Sequence, residues 1–90
     1  MKKVQFSPSL IKQLTELKRN DLQLSHKVEK QIAFFKMNPR HPSLRLHKLK
    51  GELSDIKSIS IDRNYRLLFK EEKDAFYFFL FGTHDEAYNR

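Results

Sequence analysis

The chain has 90 residues, of which 39 % are hydrophobic and 12 % aromatic, and this composition excludes a disordered chain and suits one domain over residues 1–90. It has no cysteine, which excludes a disulfide framework, a thiolate nucleophile and a zinc–cysteine site. Its 18 lysines and arginines against 11 acids give a net charge of +7, which favours a polyanionic partner, with solubility alone as the alternative. Its start lacks a signal peptide's apolar region and no apolar run approaches the roughly 18 residues that span a bilayer, so we expect a cytoplasmic protein without a membrane partner.

Residues 4–38 predict a short edge strand followed by two amphipathic helices. The strand is expected at 4–6, and Ser7 followed by Pro8 marks a helix start, because serine caps well and proline suits the first helical position. Asp21 is placed to cap a second helix, which ends at Asn38 before Pro39. Apolar residues recur at helical spacing in both helices: Leu10, Ile11, Leu14 and Leu17, then Leu24, Val28, Ile32 and Phe35.

The second half of the chain changes to the apolar patterns of strands. Strands are expected at 44–49, 56–61, 65–70 and 75–81, separated by turns at 51–54, 62–64 and 71–74. Short connections between successive strands indicate an antiparallel meander. The sequence therefore predicts an α+β fold, in which the N-terminal helical hairpin packs on one face of a small, mainly antiparallel sheet.

The last predicted strand is followed by a polar segment that carries a histidine and a tyrosine. FYFFLF at 76–81 is apolar throughout, as expected of a central strand that is buried on both faces. Gly82 is expected to turn the chain off the sheet. His84 and Tyr88, one helical turn apart, would then emerge together at the sheet edge.

Cationic, histidine and tyrosine residues recur in three segments of the second half, and a meander brings these segments to one concave sheet face. The candidate site residues are Arg45, His47, Lys48 and Lys50, then Arg63, Tyr65 and Arg66, and finally His84 and Tyr88. Together they suit an RNA phosphodiester, because histidine transfers protons near neutral pH, arginine stabilises phosphate and tyrosine stacks on a base. A metal site is not expected, since the spacing of the histidines at 41 and 47 matches no common ligand motif.

Each candidate also has an ordinary structural interpretation. His47 fits an exposed strand position, and Lys48 and Lys50 fit a solvated face. Arg66 lies in the apolar strand NYRLLF, so it either pairs with an acid such as Asp62 or lines a functional face, and we favour the second. His84 suits a strand end and Tyr88 a packing position.

The stretches HPSLRLHKLKG, SISIDRNYRLLF and FGTHDEAY resemble the RelE/ParE superfamily of toxin–antitoxin toxins, especially its YafQ-like and HigB-like branches. The resemblance implies a metal-independent endoribonuclease that needs no cofactor, cuts mRNA on the ribosome and is neutralised by a cognate antitoxin. It makes His47 and His84 the proton-transfer histidines, Arg66 the arginine at the scissile phosphate and Tyr88 the family's aromatic residue.

Two alternatives stay open within this resemblance. The same fold serves ParE-like toxins, which inhibit DNA gyrase by binding it. Ser60 and Asn64 stand where the YafQ-like pattern has a histidine and an aspartate, so a catalytically silent protein that binds only RNA or antitoxin is the other alternative.

Overall fold

A computed structural model describes residues 2–49 and 55–83. In chain order its elements are β1 (Lys3–Phe6), α1 (Pro8–Asn20), α2 (Leu22–Met37), a 3-10 turn (Pro42–Leu44), β2 (His47–Lys48), β3 (Ile56–Ser60), β4 (Tyr65–Glu71) and β5 (Ala75–Thr83). The strands form one sheet in the order β1-β5-β4-β3-β2, antiparallel throughout except for the parallel pair of β1 with β5. This arrangement confirms the predicted α+β fold with a mainly antiparallel sheet.

Side-chain caps fix where the two helices begin, as the sequence predicts. The Oγ atom of Ser7 accepts the N–H of Leu10 at 3.1 Å, and Oδ1 of Asp21 accepts the N–H of Leu24 at 3.1 Å. Asp21 alone links the helices, so they pack side by side as a hairpin. Among the described residues, neither helix is long and apolar enough to cross a membrane.

The helices cover one face of the sheet through an apolar cluster that we call the helix-side core. Phe35 of α2 lies at its centre and makes edge-on ring contacts with Phe69, Phe76 and Phe78 at centroid distances of 5.1, 4.9 and 5.1 Å. The buried members of this core are Leu10, Leu24, Val28, Phe35, Leu44, Ile59, Ile61, Leu67, Phe69, Phe78 and Phe81. Ile11, which was expected on the apolar face of α1, is 53 % exposed instead.

Strand register shows which residues of the sheet lie on the face opposite the helices. Residues directly opposite each other in a sheet point to the same side, and neighbours along a strand point to opposite sides. Leu67 pairs with Ile59 and Phe81 of the helix-side core, whereas Arg66 pairs with Ser60 and Gly82. Arg66 therefore lies on the face turned away from the helices, which we call the outer face; it carries His47, Ser58, Ser60, Arg66, Leu68 and Gly82.

The strand predicted at 44–49 is mostly wrong. Pro42–Leu44 form a 3-10 turn, and only His47–Lys48 pair as a strand. Pro42 favours the first position of a helical turn, and Arg45 ends that turn in the left-handed region at φ 45°, ψ 53°. Leu44 is fully buried in the helix-side core, so the turn is anchored by packing that the alternating pattern did not reveal.

Two expectations about the last strand are also corrected. β5 is internal, as expected, between β1 and the central strand β4, but it is not fully buried, because Tyr77 and Leu80 are only partly buried. The strand does not end at Gly82, because β5 continues through Gly82 to Thr83. Gly82 lies opposite Arg66, where the absence of a side chain leaves room for the guanidinium group.

Glu71 joins three parts of the sheet and gives a pH-dependent stability. Hydrogen bonds from the ammonium groups of Lys2 and, at 2.9 Å, Lys57 lower the pKa of Glu71 from 4.5 to about 2. Because the folded pKa is depressed, the carboxylate stabilises the fold above pH 4.5, and this contribution disappears as the pH falls towards 2. The side chain is 36 % exposed, so solvent screening limits the contribution to about 1 kcal/mol.

We predict that Glu71→Gln lowers the free energy of unfolding by about 0.5–1 kcal/mol at pH 7, measured by urea denaturation. The difference from the unsubstituted protein should shrink progressively below pH 4.5. The neighbouring exposed Glu72→Gln is the control and should change stability little at either pH. A Glu71→Gln difference that is the same at pH 7 and pH 3 would contradict this interpretation.

Candidate functional site

Among the residues that the structure describes, Arg66 is the one buried cation. It lies on the central strand and is 9 % exposed. Its Nε donates to Oγ of Ser58 at 3.1 Å, and its Nη2 donates to the carbonyl oxygens of Arg45 at 2.9 Å and Ser58 at 3.3 Å. These bonds fix the plane of the guanidinium group. The acceptors in these three bonds are neutral oxygens.

Asp62 does not take part in this arrangement, although the sequence allowed it as a partner of Arg66. Its carboxylate forms an ion pair with Lys27 at 3.3 Å and accepts the backbone N–H groups of Asn64 and Tyr65. Partial burial raises the pKa of Asp62, but these hydrogen bonds outweigh that effect and lower the pKa overall. Asp62 therefore closes the turn between β3 and β4, and Arg66 keeps its place on the outer face.

His47 lies next to the group that orients Arg66. It is exposed on β2, and its partner across the strand pair is Ser58, whose hydroxyl accepts from Arg66. His47 and Arg66 thus lie on either side of Ser58 on the outer face. The structure thus has these two predicted site residues on the same face of the sheet, two strands apart.

The two remaining described arginines of the predicted site are both exposed. Arg63 lies in the turn that joins β3 to β4, two residues before β4 begins. Arg45 ends the 3-10 turn, and its carbonyl rather than its side chain contacts Arg66. A role for the Arg45 and Arg63 side chains in binding substrate stays a prediction.

Lys48 and Tyr65 do not share a face with Arg66, and this part of the predicted convergence is wrong. Lys48 pairs with Lys57, which pairs in turn with Phe69 of the helix-side core. The ring of Tyr65 stacks on Phe81 with centroids 5.1 Å apart and an interplanar angle of 4°, also on the helix side. Each of them neighbours an outer-face residue along its strand, and strand alternation turns it to the other side.

Lys50, His84 and Tyr88 lie outside the described residues, and their predicted roles stay predictions. Ser60 and Asn64, which replace two residues of the YafQ-like pattern, have structural contacts: Oγ of Ser60 donates to the carbonyl of Asp62 at 2.9 Å, and the N–H of Asn64 donates to the Asp62 carboxylate. Over residues 2–49 and 55–83, no three potential ligands among His, Asp and Glu come together as a metal site would require.

The sequence analysis did not identify two buried polar residues around this site. Ser58 is 0 % exposed, and Gln31 of α2 is 4 % exposed. Gln31 Nε2 donates to the carbonyls of Ser43 at 3.1 Å and Ser60 at 2.8 Å. A signal for Gln31 was present, because it follows Val28 by three residues and precedes Phe35 by four, which places an amide on the apolar face of α2.

Comparison with known proteins identifies the family. The model of a family described as the ParE-like toxin domain matches residues 22–90. The chain belongs to the ParE-like toxin family. The matched region includes α2, the 3-10 turn and the strands β2 to β5, and therefore Ser58 and Arg45, which accept hydrogen bonds from Arg66. A search of the curated proteins finds no match.

Solved structures of toxins share the fold of this ParE-like domain. A YoeB/ParE toxin from Agrobacterium tumefaciens is 18 % identical, with 91 % of this chain and 98 % of that chain covered and a TM-score of 0.75. YafQ from E. coli strain BL21(DE3) is 14 % identical, with 97 % and 98 % covered and a TM-score of 0.74. A YoeB–YefM complex from Staphylococcus aureus is 18 % identical, with 93 % and 98 % covered and a TM-score of 0.74. At these identities the similarity establishes the fold, and the chemistry must be argued from this chain's own residues.

We predict that Ser58→Ala destabilises the protein more than Ser60→Ala does. The Ser58 hydroxyl accepts from a buried charged group, and such a bond contributes about 1.5–3 kcal/mol, whereas the bond of Ser60 to a carbonyl contributes about 0.5–1.5 kcal/mol. Urea denaturation of both variants measures the difference. Equal losses would show that Ser58 does not stabilise the Arg66 guanidinium.

Proposed function

We propose that this ParE-like toxin is a metal-independent endoribonuclease that cuts mRNA, on the ribosome, and thereby inhibits translation. The observation that carries the proposal is the Arg66 guanidinium, held in place on the outer face by Ser58 and Arg45 with His47 on the other side of Ser58. A fixed cation on the same sheet face as a histidine suits an RNA phosphodiester, whose cleavage needs charge stabilisation and proton transfer together.

Arg66 is the proposed group for stabilising the phosphate. As the 2′-OH of RNA attacks phosphorus, negative charge grows on the non-bridging oxygens, and a preoriented cation at a site of low dielectric constant stabilises that charge strongly. The three hydrogen bonds to neutral oxygens orient the guanidinium group before substrate arrives. Little reorganisation is then needed at the moment of reaction.

Histidines are the proposed proton-transfer groups. The reaction needs a base to take the 2′-OH proton and an acid to protonate the leaving 5′ oxygen, and it yields a 2′,3′-cyclic phosphate and a 5′-OH end. His47, exposed on the outer face, suits one of these roles. His84 is proposed for the other, and Tyr88 for stacking on or positioning a substrate base, both on the basis of the superfamily resemblance.

Substrate binding is proposed to rest on positive charge around Arg66. Arg45, exposed at the end of the 3-10 turn, and Arg63, exposed in the turn before β4, are proposed to attract neighbouring phosphates. Lys50 is proposed for the same role from the sequence alone. Lys48 and Tyr65 are not part of this proposed site, because they lie on the helix side of the sheet and Arg66 lies on the outer face.

A cognate antitoxin is the proposed protein partner. The S. aureus YoeB–YefM structures are described as a complex of a toxin with its antitoxin, and one is a heterotetramer. The net charge of +7 favours an acidic partner, which electrostatic attraction would bring to the toxin quickly.

Inhibition of DNA gyrase is the second candidate function. It is favoured by the description of the matching family, which is named after ParE. Such a toxin needs a binding surface and no catalytic side chains. Only the nuclease candidate therefore predicts that replacing Arg66 or a histidine reduces mRNA cleavage.

We predict that Arg66→Lys, His47→Gln and His84→Gln each reduce mRNA cleavage by about 10²–10⁴-fold, because each removes one group that acts in the transition state. Arg66→Lys keeps the charge but loses the planar fork that the three hydrogen bonds orient. Primer extension on cellular mRNA after induction measures the cleavage.

Arg19→Lys on the exposed surface of α1 is the matched control and should cleave as the unsubstituted toxin does. Co-expression of an acidic protein encoded beside the toxin should restore growth in every toxic strain. Intact mRNA together with altered DNA supercoiling in cells that express the unsubstituted toxin would refute the nuclease and support the gyrase candidate.

A further inference from the structure

We infer that Gln31, buried in α2, is a positioning residue for Arg66: it holds the segment His41–Arg45 so that the carbonyl of Arg45 meets the guanidinium group. The experiment that measures RNA cleavage rests on the proposed function. Its structural part concerns the free protein and stands independently of the reaction.

Gln31 connects three elements from inside the protein. Its side chain reaches from α2 to the carbonyl of Ser43 in the 3-10 turn and to the carbonyl of Ser60 at the end of β3. Ser60 is the residue directly opposite Arg66 in the sheet. One amide therefore fixes both the strand beside Arg66 and the segment that supplies an acceptor to it.

The segment itself is held in an unusual backbone conformation. Arg45 adopts φ 45°, ψ 53°, and it is the only non-glycine residue with positive φ in the part of the chain that the structure describes. This region is unfavourable for a residue with a side chain and persists when its surroundings enforce it. The result here is a carbonyl placed 2.9 Å from Nη2 of Arg66.

Three further contacts hold this segment. Nδ1 of His41 accepts the N–H of Ser43 at 3.2 Å, and the His41 ring stacks on Phe34 of α2 with centroids 4.3 Å apart. Leu44 is fully buried in the helix-side core. Gln31 adds the link that joins this segment directly to the strand next to Arg66.

A purely structural role for Gln31 makes a different prediction from a positioning role. If Gln31 only satisfied two carbonyls, its loss would lower stability and leave the Arg66 environment of the folded protein unchanged. If it positions Arg66, its loss changes that environment while the protein stays folded. Gln13 offers a comparison for the type of bond, because its Nε2 also joins a helix to a strand carbonyl, that of Phe81, at 3.0 Å, although Gln13 is exposed.

The first experiment compares Gln31→Met with Gln13→Met by NMR of the Nε–Hε group of Arg66, assigned through Arg66→Lys. In Gln31→Met we expect this signal to shift and its hydrogen to exchange faster with water, whereas Gln13→Met should leave it unchanged. If Gln31→Met does not fold, Gln31→Asn replaces it in this experiment. Asparagine keeps the amide donors on a shorter side chain, so the Arg66 signal should shift less than a complete loss of the amide would shift it. An Arg66 signal that is unchanged in the folded Gln31 variant would overturn the inference.

The second experiment separates the Arg45 backbone from its side chain. Arg45→Gly keeps the carbonyl and adopts positive φ readily, so the Arg66 signal should stay in place. Arg45→Val disfavours that conformation and should shift the signal in the direction that Gln31→Met does. A shift in Arg45→Gly that equals the shift in Arg45→Val would show that the side chain, not the held carbonyl, sets the environment of Arg66.

The third experiment uses RNA cleavage below the melting temperature of every variant. Gln31→Met should lower kcat by about 10²-fold with KM little changed, because a displaced cation weakens transition-state stabilisation more than binding. Gln13→Met should keep kcat. If the unsubstituted protein leaves RNA intact, the proposed function fails, and the NMR comparison still decides whether Gln31 positions Arg66.

Discussion

The side-to-side alternation of β4 is the constraint on which the rest of this structure depends. Leu67 enters the core under the two helices, and its neighbour Arg66 must then point to the opposite face of the same central strand. Burying a guanidinium group is costly unless its donors are satisfied. Ser58 and the carbonyl of Arg45 supply acceptors, so groups from two other parts of the chain offset this cost.

The helix-side core and the outer face are coupled through the segment between α2 and β2. Phe35 packs α2 against β4 and β5, which fixes where Gln31 lies relative to the sheet. Gln31 then fixes the 3-10 turn, and the turn places the Arg45 carbonyl beside Arg66. Packing on the apolar side of the sheet thus determines the geometry of a cation on the polar side.

The sequence predicted the features that depend on local chemistry. Ser7 and Asp21 cap the helices as expected, because a cap depends on residues two or three positions away. The superfamily resemblance led to the right family, and the roles that it implies for His47 and Arg66 stay predictions.

What the sequence did not predict depends on contacts between distant residues. The face taken by Lys48 and Tyr65 follows from strand register, and the 3-10 turn follows from the burial of Leu44 under the helices. The use of a backbone carbonyl of Arg45, rather than its side chain, has no sequence signature, because every residue has a carbonyl. Gln31 was visible as a polar residue on an apolar helix face, but its acceptors lie 12 and 29 residues away.

The central claim is that Arg66 is a preoriented cation for an RNA phosphate, and the salt dependence of RNA binding tests it most directly. A single-stranded RNA made non-cleavable by 2′-deoxy substitution would be titrated against the unsubstituted protein, Arg66→Ala and Arg19→Ala from low to high salt. The account predicts weaker binding by Arg66→Ala and a plot of log affinity against log salt that is shallower by about 0.7, the loss of one phosphate contact on a single strand. Arg19→Ala should keep the original slope. Identical slopes and affinities for the two variants would contradict the account, because Arg66 would then be no more a phosphate ligand than an arginine on the far side of the protein.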